Sequence, residues 1–134
     1  MATITSNIVR KFSDLDLNFT IHPIKKDINK TVDSMAVVNS IKNLILTNHY
    51  ERPFQPEIGC NVRRLLFENM DNITASAIER EIVQTLNNFE PRVRIESLTV
   101  SPDFDNNAFS VSMYFYIINQ TTPISIQFFL ERAR

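Results

Sequence analysis

Apolar residues recur along this chain at two different spacings, and the place where one gives way to the other divides it. Val37, Val38, Ile41, Leu44 and Ile45 return every three to four residues, the stripe of an amphipathic helix predicted over residues 32–47. Thr31 or Asp33 is placed to cap its start. Asn61 opens a short helix to residue 68 that is expected to bury Val62, Leu65, Leu66 and Phe67. A third stripe, Ile78, Ile82, Leu86 and Phe89, predicts a helix over residues 74–88 with Thr74 as its cap. Glu79, Arg80 and Glu81 fall on its solvated faces.

Past residue 92 the spacing becomes two. Phe109, Val111, Met113, Phe115 and Ile117 alternate with Ser110, Ser112, Tyr114, Tyr116 and Ile118, a strand with one buried face. Residues 93–95 and 98–100 are in opposite phase, which predicts a bulge near Glu96 and Ser97. In the last strand Ile124, Ile126, Phe128 and Leu130 face inward, with Ser125, Gln127, Phe129 and Glu131 outside. Residues 101–107 and 119–123 read as the turns between these strands. Helices first and a meander after them predict an α+β, two-layer fold, N-terminal helices packed on a C-terminal antiparallel β-meander. A meander that no barrel closes leaves an edge open. Ile124, Ile126, Phe128, Phe129 and Leu130 are therefore candidates for strand addition, an extended segment of another chain pairing beside them.

The N-terminal part is less regular. Leu15, Leu17, Phe19 and Ile21 alternate as an edge strand ended by Pro23, and residues 25–30 form a polar connector. Residues 1–30 are accordingly read as a lead-in and 31–134 as one domain.

Two proline-bearing stretches interrupt the pattern. In Arg52-Pro53-Phe54-Gln55-Pro56-Glu57-Ile58-Gly59, two prolines and the only glycine of the chain specify a backbone path. Arg52, Pro53, Phe54, Pro56, Glu57 and Gly59 are read as a structural loop. At Glu90-Pro91-Arg92 a helix ends and a strand begins, because Pro91 cannot continue a helix and draws Glu90 out of helical geometry. This corner is a joint. It also holds a carboxylate and a guanidinium in fixed geometry, where a partner could use them.

Composition narrows the chemistry. Ten Phe, no Trp and one Gly leave no glycine-rich loop to cradle phosphates and imply few left-handed turns. A net charge of -1 without a basic face gives no nucleic-acid footprint. The longest apolar run, residues 113–118, is too short to span a bilayer, and residues 1–12 have no secretory pattern. A soluble, intracellular protein is expected. Cys60 is the sole cysteine, and His22 and His49 lack ligand spacing, so no metal, cofactor or small-molecule substrate is expected. Glu57, Glu68 and Glu90 are the carboxylates that a glycoside hydrolase would need in pairs, but each reads more simply as structural or solvated.

The order Arg-Pro-Phe-x-Pro-Glu-x-Gly (52–59), Leu-Phe-Glu-Asn (66–69) and Glu-Pro-Arg (90–92) resembles the small baseplate wedge proteins of contractile-tailed phages, relatives of a type VI secretion baseplate component. The likeness runs from the first helix, Ser40-Ile41-Lys42-Asn43 included, to the last strand. It implies a structural virion protein assembled in the host cytoplasm, with a sheet similar to the strand-exchanging part of a tail-sheath subunit. It further implies docking of Glu90, Pro91 and Arg92 to the helical core bundle of other wedge proteins, and a sheet that starts tail-sheath polymerisation. On that reading Arg92→Ala leaves the domain folded but blocks assembly. Some relatives carry a lysozyme label, which keeps a muramidase as the alternative function, beside a cytoplasmic protein-binding adaptor of the same fold.

Overall fold

The computed structural model describes residues 13–15, 23–24 and 30–132. Its elements run β1 (Ser13–Leu15), β2 (Lys30–Val32), α1 (Ser34–Leu46), α2 (Val62–Leu65), α3 (Asn72–Phe89), β3 (Val93–Asp103), β4 (Ala108–Ile117) and β5 (Ile124–Glu131). β1 and β2 form a small antiparallel ladder, Ser13 opposite Val32 and Leu15 opposite Lys30. The main sheet has the order β3-β4-β5, antiparallel throughout, as the α+β two-layer reading requires.

The core lies between one face of this sheet and the helices. β4 is central, and its inner row, Phe109, Val111, Met113, Phe115 and Ile117, is buried along its whole length. Above it sit Val37, Ile41 and Ile45 of α1 and Ile78, Ile82 and Leu86 of α3. The two helical stripes thus meet the period-two row, which is why the change in spacing marks the layers. The register of β3 against β4 slips between Ile95 and Ser97, so Val93 and Leu98 both reach the core despite their opposite phase.

Several boundaries move, each for a local reason. Val32 and Lys30 belong to β2, so α1 begins at Ser34 rather than Val32, and the connector ends before Lys30. Asp33 takes the N-cap position but makes no side-chain cap, because its φ of 58° turns the chain out of β2. Asp71, not Thr74, caps α3: its Oδ1 accepts from Thr74 N at 2.7 Å, and Thr74 itself is buried. That bond, with the Thr74 hydroxyl, holds the Asp71 carboxyl below its ordinary range. Asp71→Ala is expected to lower the thermal midpoint by fraying this end of α3, which amide exchange at Thr74 would show. Phe67 is exposed, not buried, since α2 ends at Leu65 and the chain turns outward. Glu81 is not merely solvated, because its Oε1 accepts from Asn61 N at 3.2 Å and ties α3 to α2. β3 continues to Asp103, three residues into the expected turn.

Left-handed turns are also more numerous than one glycine suggests. Asp33, Tyr50, Asn107 and Asn119 all have positive φ. Asn107 and Asn119 sit in the two turns of the meander, where a short amide side chain tolerates this region. Of the strand expected over residues 15–21, Leu15 lies in β1 and is exposed, and the rest falls outside the described residues.

Candidate functional site

The Glu90-Pro91-Arg92 corner forms because α3 runs out at Phe89. Glu90 N still bonds Leu86 O at 2.9 Å, but φ −125° and ψ 75° at Glu90 leave the helix before Pro91. β3 then starts at Val93, and Ile118 N donates to Arg92 O at 2.9 Å. The joint is thereby pinned to the helix on one side and to the end of β4 on the other.

The carboxylate at the joint points inward. Glu90 is 3% exposed, the only buried acid among the described residues. Arg92 Nε donates to Oε1 at 2.5 Å and Nη2 to Oε2 at 2.8 Å, a bidentate pair across the proline. Ser40 Oγ, from α1, donates to Oε2 at 2.6 Å. Burial pushes the Glu90 carboxyl up, but the hydrogen bonds from Arg92 and Ser40 and the Arg92 charge outweigh it and leave the group below its ordinary value. Arg92 in turn is held fully charged, by the Glu90 hydrogen bond first and more weakly by the charges of Glu90 and Asp14 in β1.

Glu90 is therefore spent inside the fold, fastening α1 to the start of the sheet. Of the two charged groups at the corner, the guanidinium is the one that reaches the surface, at 32% side-chain exposure. Ser40 is named in the sequence only as part of the Ser40-Ile41-Lys42-Asn43 run, and its role as a partner of Glu90 was missed although a signal was present. It stands three residues from Val37 and four from Leu44 on the apolar stripe, and a half-buried hydroxyl there finds a partner.

The proline-rich loop lies beside this corner. Arg52 and Ile58 share a cavity of about 190 Å³ with Asp14, Ser40 and Glu90. The loop is held by its backbone and short polar links: Tyr50 N to Pro56 O at 2.9 Å, Cys60 N to Thr47 O at 2.8 Å, and Asn48 N to Glu51 Oε2 at 2.8 Å. His49 Nδ1 lies 3.1 Å from the Glu57 carbonyl oxygen. Gly59 is buried against the chain at Asn48 and His49. Arg52, Pro53, Pro56 and Glu57 are exposed, and Phe54 is 97% exposed at the apex. Phe54→Ala is thus expected to change unfolding free energy by no more than about 0.5 kcal/mol, measured by urea denaturation.

The strand edge is the third element. Arg132 N donates to Asn107 O at 3.2 Å, one step beyond the Ala108–Glu131 pair. Register is unbroken along β5, so Leu130, Phe128, Ile126 and Ile124 share this orientation and bond β4. Ser125, Gln127, Phe129 and Glu131 then turn their N–H and C=O groups away from β4, where the main sheet has no further strand among the described residues. The inner row on this strand is only half-buried at Ile124, Ile126 and Phe128 and fully buried at Leu130.

With this geometry in view, the kinship of the chain is plain. The sequence pattern of the baseplate wedge protein gp25 family matches residues 32–121, from the end of β2 through the turn after β4. The chain belongs to that family. The baseplate wedge protein gp25 of Enterobacteria phage T4 is 33% identical over 119 residues, 89% of each chain. In fold, this wedge-family protein is similar to a chain of the anti-feeding prophage baseplate, with a TM-score of 0.71 at 20% identity, covering 83% of this chain and 89% of the other. It is also similar to a Geobacter sulfurreducens protein described as a tail lysozyme, with a TM-score of 0.66 at 23% identity, covering 75% and 93%. The family match includes the proline-rich loop and the Glu90-Pro91-Arg92 corner and stops short of β5.

Proposed function

We propose that this chain is a structural component of a contractile tail baseplate wedge, assembled in the host cytoplasm, that templates tail-sheath polymerisation by accepting a sheath strand at β5. The observation that carries the reading is the set of outward backbone groups at Ser125, Gln127, Phe129 and Glu131, beside an apolar row that its own fold covers only in part. Backbone pairing supplies affinity, and alternate side chains supply register. Other wedge proteins, through their helical core bundle, would dock at the corner: Pro91 is exposed, and Arg92 is held there by Glu90 at partial exposure.

Proline substitution tests the edge. At Gln127 a proline removes only an outward N–H, which an edge strand tolerates. At Phe128 it removes a bond to β4. The expected result is that Gln127→Pro folds and joins the baseplate but nucleates no sheath, whereas Phe128→Pro does not fold stably. Normal sheath growth on Gln127→Pro baseplates would overturn the strand-addition reading.

A muramidase draws support only from fold likeness to the Geobacter protein, and fold does not carry activity. A general acid in glycoside cleavage needs a raised pKa, and Glu90 is shifted the other way with both oxygens engaged. Glu57 and Glu68 are exposed. Purified protein is expected to leave a peptidoglycan zymogram unchanged; clearing that Glu57→Gln or Glu90→Gln abolishes would restore the hydrolase.

A further inference from the structure

The end of β5 borders a groove of about 520 Å³ that its own side chains do not fill. Ile45 and Leu46 at the end of α1, and Val62 and Leu66 of the α2 region, form its apolar wall opposite Leu130. Ile45, Val62, Leu66 and Leu130 are buried, whereas Leu46 is 63% exposed. Phe129, Arg63, Glu131 and Arg132 complete the lining. Arg132 is fixed there, since its Nε donates to Leu66 O at 3.0 Å and so fastens the end of β5 to α2. A largely apolar lining with a few charged groups suits an apolar side chain entering from an extended backbone.

The pairing rules say which side chain that is. Residues directly opposite on neighbouring strands point to the same face of the sheet. A segment added outside β5 therefore places the residue beside Leu130 on the helical side, where the groove lies. The residues beside Phe128, Ile126 and Ile124 cover the half-buried row in the same way. We infer that the arm accepted by β5 is an extended segment with apolar residues at alternate positions, and that its bulkiest apolar side chain sits beside Leu130 and fills this groove. The inference rests on strand addition at β5 and adds to it a sequence requirement and a fixed register. Register matters because a one-residue slip would turn the arm's apolar face to solvent.

The test uses the full chain and two synthetic peptides, each about ten residues long, the length of a strand. Both alternate valine and threonine, and one valine near one end is replaced by phenylalanine or by threonine. Binding is followed by NMR shifts at Leu130, Leu46 and Ile126. The phenylalanine peptide is expected to bind about tenfold tighter, the effect of burying most of one aromatic side chain. Leu46→Trp occupies the groove from an exposed position, so it should remove that advantage and leave the threonine peptide unaffected. Equal binding of the two peptides, or equal weakening of both by Leu46→Trp, would overturn the inference while leaving strand addition in place. Absence of saturable binding by either peptide would remove both. A homodimer that Gln127→Pro dissociates would put a second copy of this chain on the edge, also against the inference.

Discussion

Gly59→Ala is expected to cost the domain about 3 kcal/mol, the upper end of what a single inserted methyl usually costs in a packed site. A Cβ at this position would lie 2.6 Å from Asn48 C and His49 N and 2.7 Å from Asn48 O. These are backbone atoms, so no rotamer change relieves the clash. Nor is that backbone free to retreat, because Asn48 N, Tyr50 N and Cys60 N are all engaged in holding the loop closed. Next to Gly59, Cys60 is fully buried, so movement would propagate into the core. Urea denaturation should show a lower midpoint at an unchanged slope. A loss below about 0.5 kcal/mol, the level of an ordinary surface change, would mean that the loop yields and is not held as described. The contrast with Phe54 is informative: the large aromatic of this loop is expendable for folding, and the residue without a side chain is not.

Arg92→Ala is the second large effect, expected to cost about 1–3 kcal/mol near neutral pH, since it leaves a buried carboxylate with only the Ser40 hydroxyl and the backbone N–H of residue 92 to favour its charge. The lower part of that range allows for the partial exposure of the guanidinium. Its pH dependence is diagnostic. In the native protein the Glu90 carboxyl lies below its ordinary value of 4.5, so the unfolded chain binds the extra proton. Its contribution is present above the unfolded value and lost as pH falls through the folded one. Without the Arg92 side chain, burial is opposed less and the folded carboxyl is expected to lie higher than in the native protein, so acid costs the variant less stability. The stability gap between the two proteins should therefore close on acidification from pH 7 through the carboxylate range. A gap that stays constant would show that Arg92 does not stabilise ionised Glu90. Arg92→Ala is therefore expected to lower stability as well as to weaken any docking, while a loss of this size still leaves the domain folded. Arg92→Lys, which keeps the charge but not the fork, separates the two roles more cleanly.

Much of the fold was legible because each layer announces its own spacing. The stripes Val37-Ile41-Leu44 and Ile78-Ile82-Leu86 and the row from Phe109 to Ile117 are all buried, and the phase change at Glu96 is the bulge it implied. What local pattern missed was set by contacts distant in sequence or by competition at element ends. Asp71 took the cap from Thr74 because Thr74 is needed in the core. Val32 left the helix to pair with Ser13. The partnership of Ser40 with Glu90 joins residues fifty positions apart, which no spacing rule encodes. At the site, the corner's position was readable and its polarity was not. Two charges flanking a proline looked equally presented, whereas burial and the Ser40 hydroxyl turn one of them inward.

The most direct measurement is a structure of the assembled baseplate with its first sheath ring, read along β5. The expected result is a strand from a sheath subunit hydrogen-bonded to the outward backbone groups of Ser125, Gln127, Phe129 and Glu131, with an apolar side chain beside Leu130. A β5 edge left in solvent, or covered by a helix without backbone pairing, would contradict it.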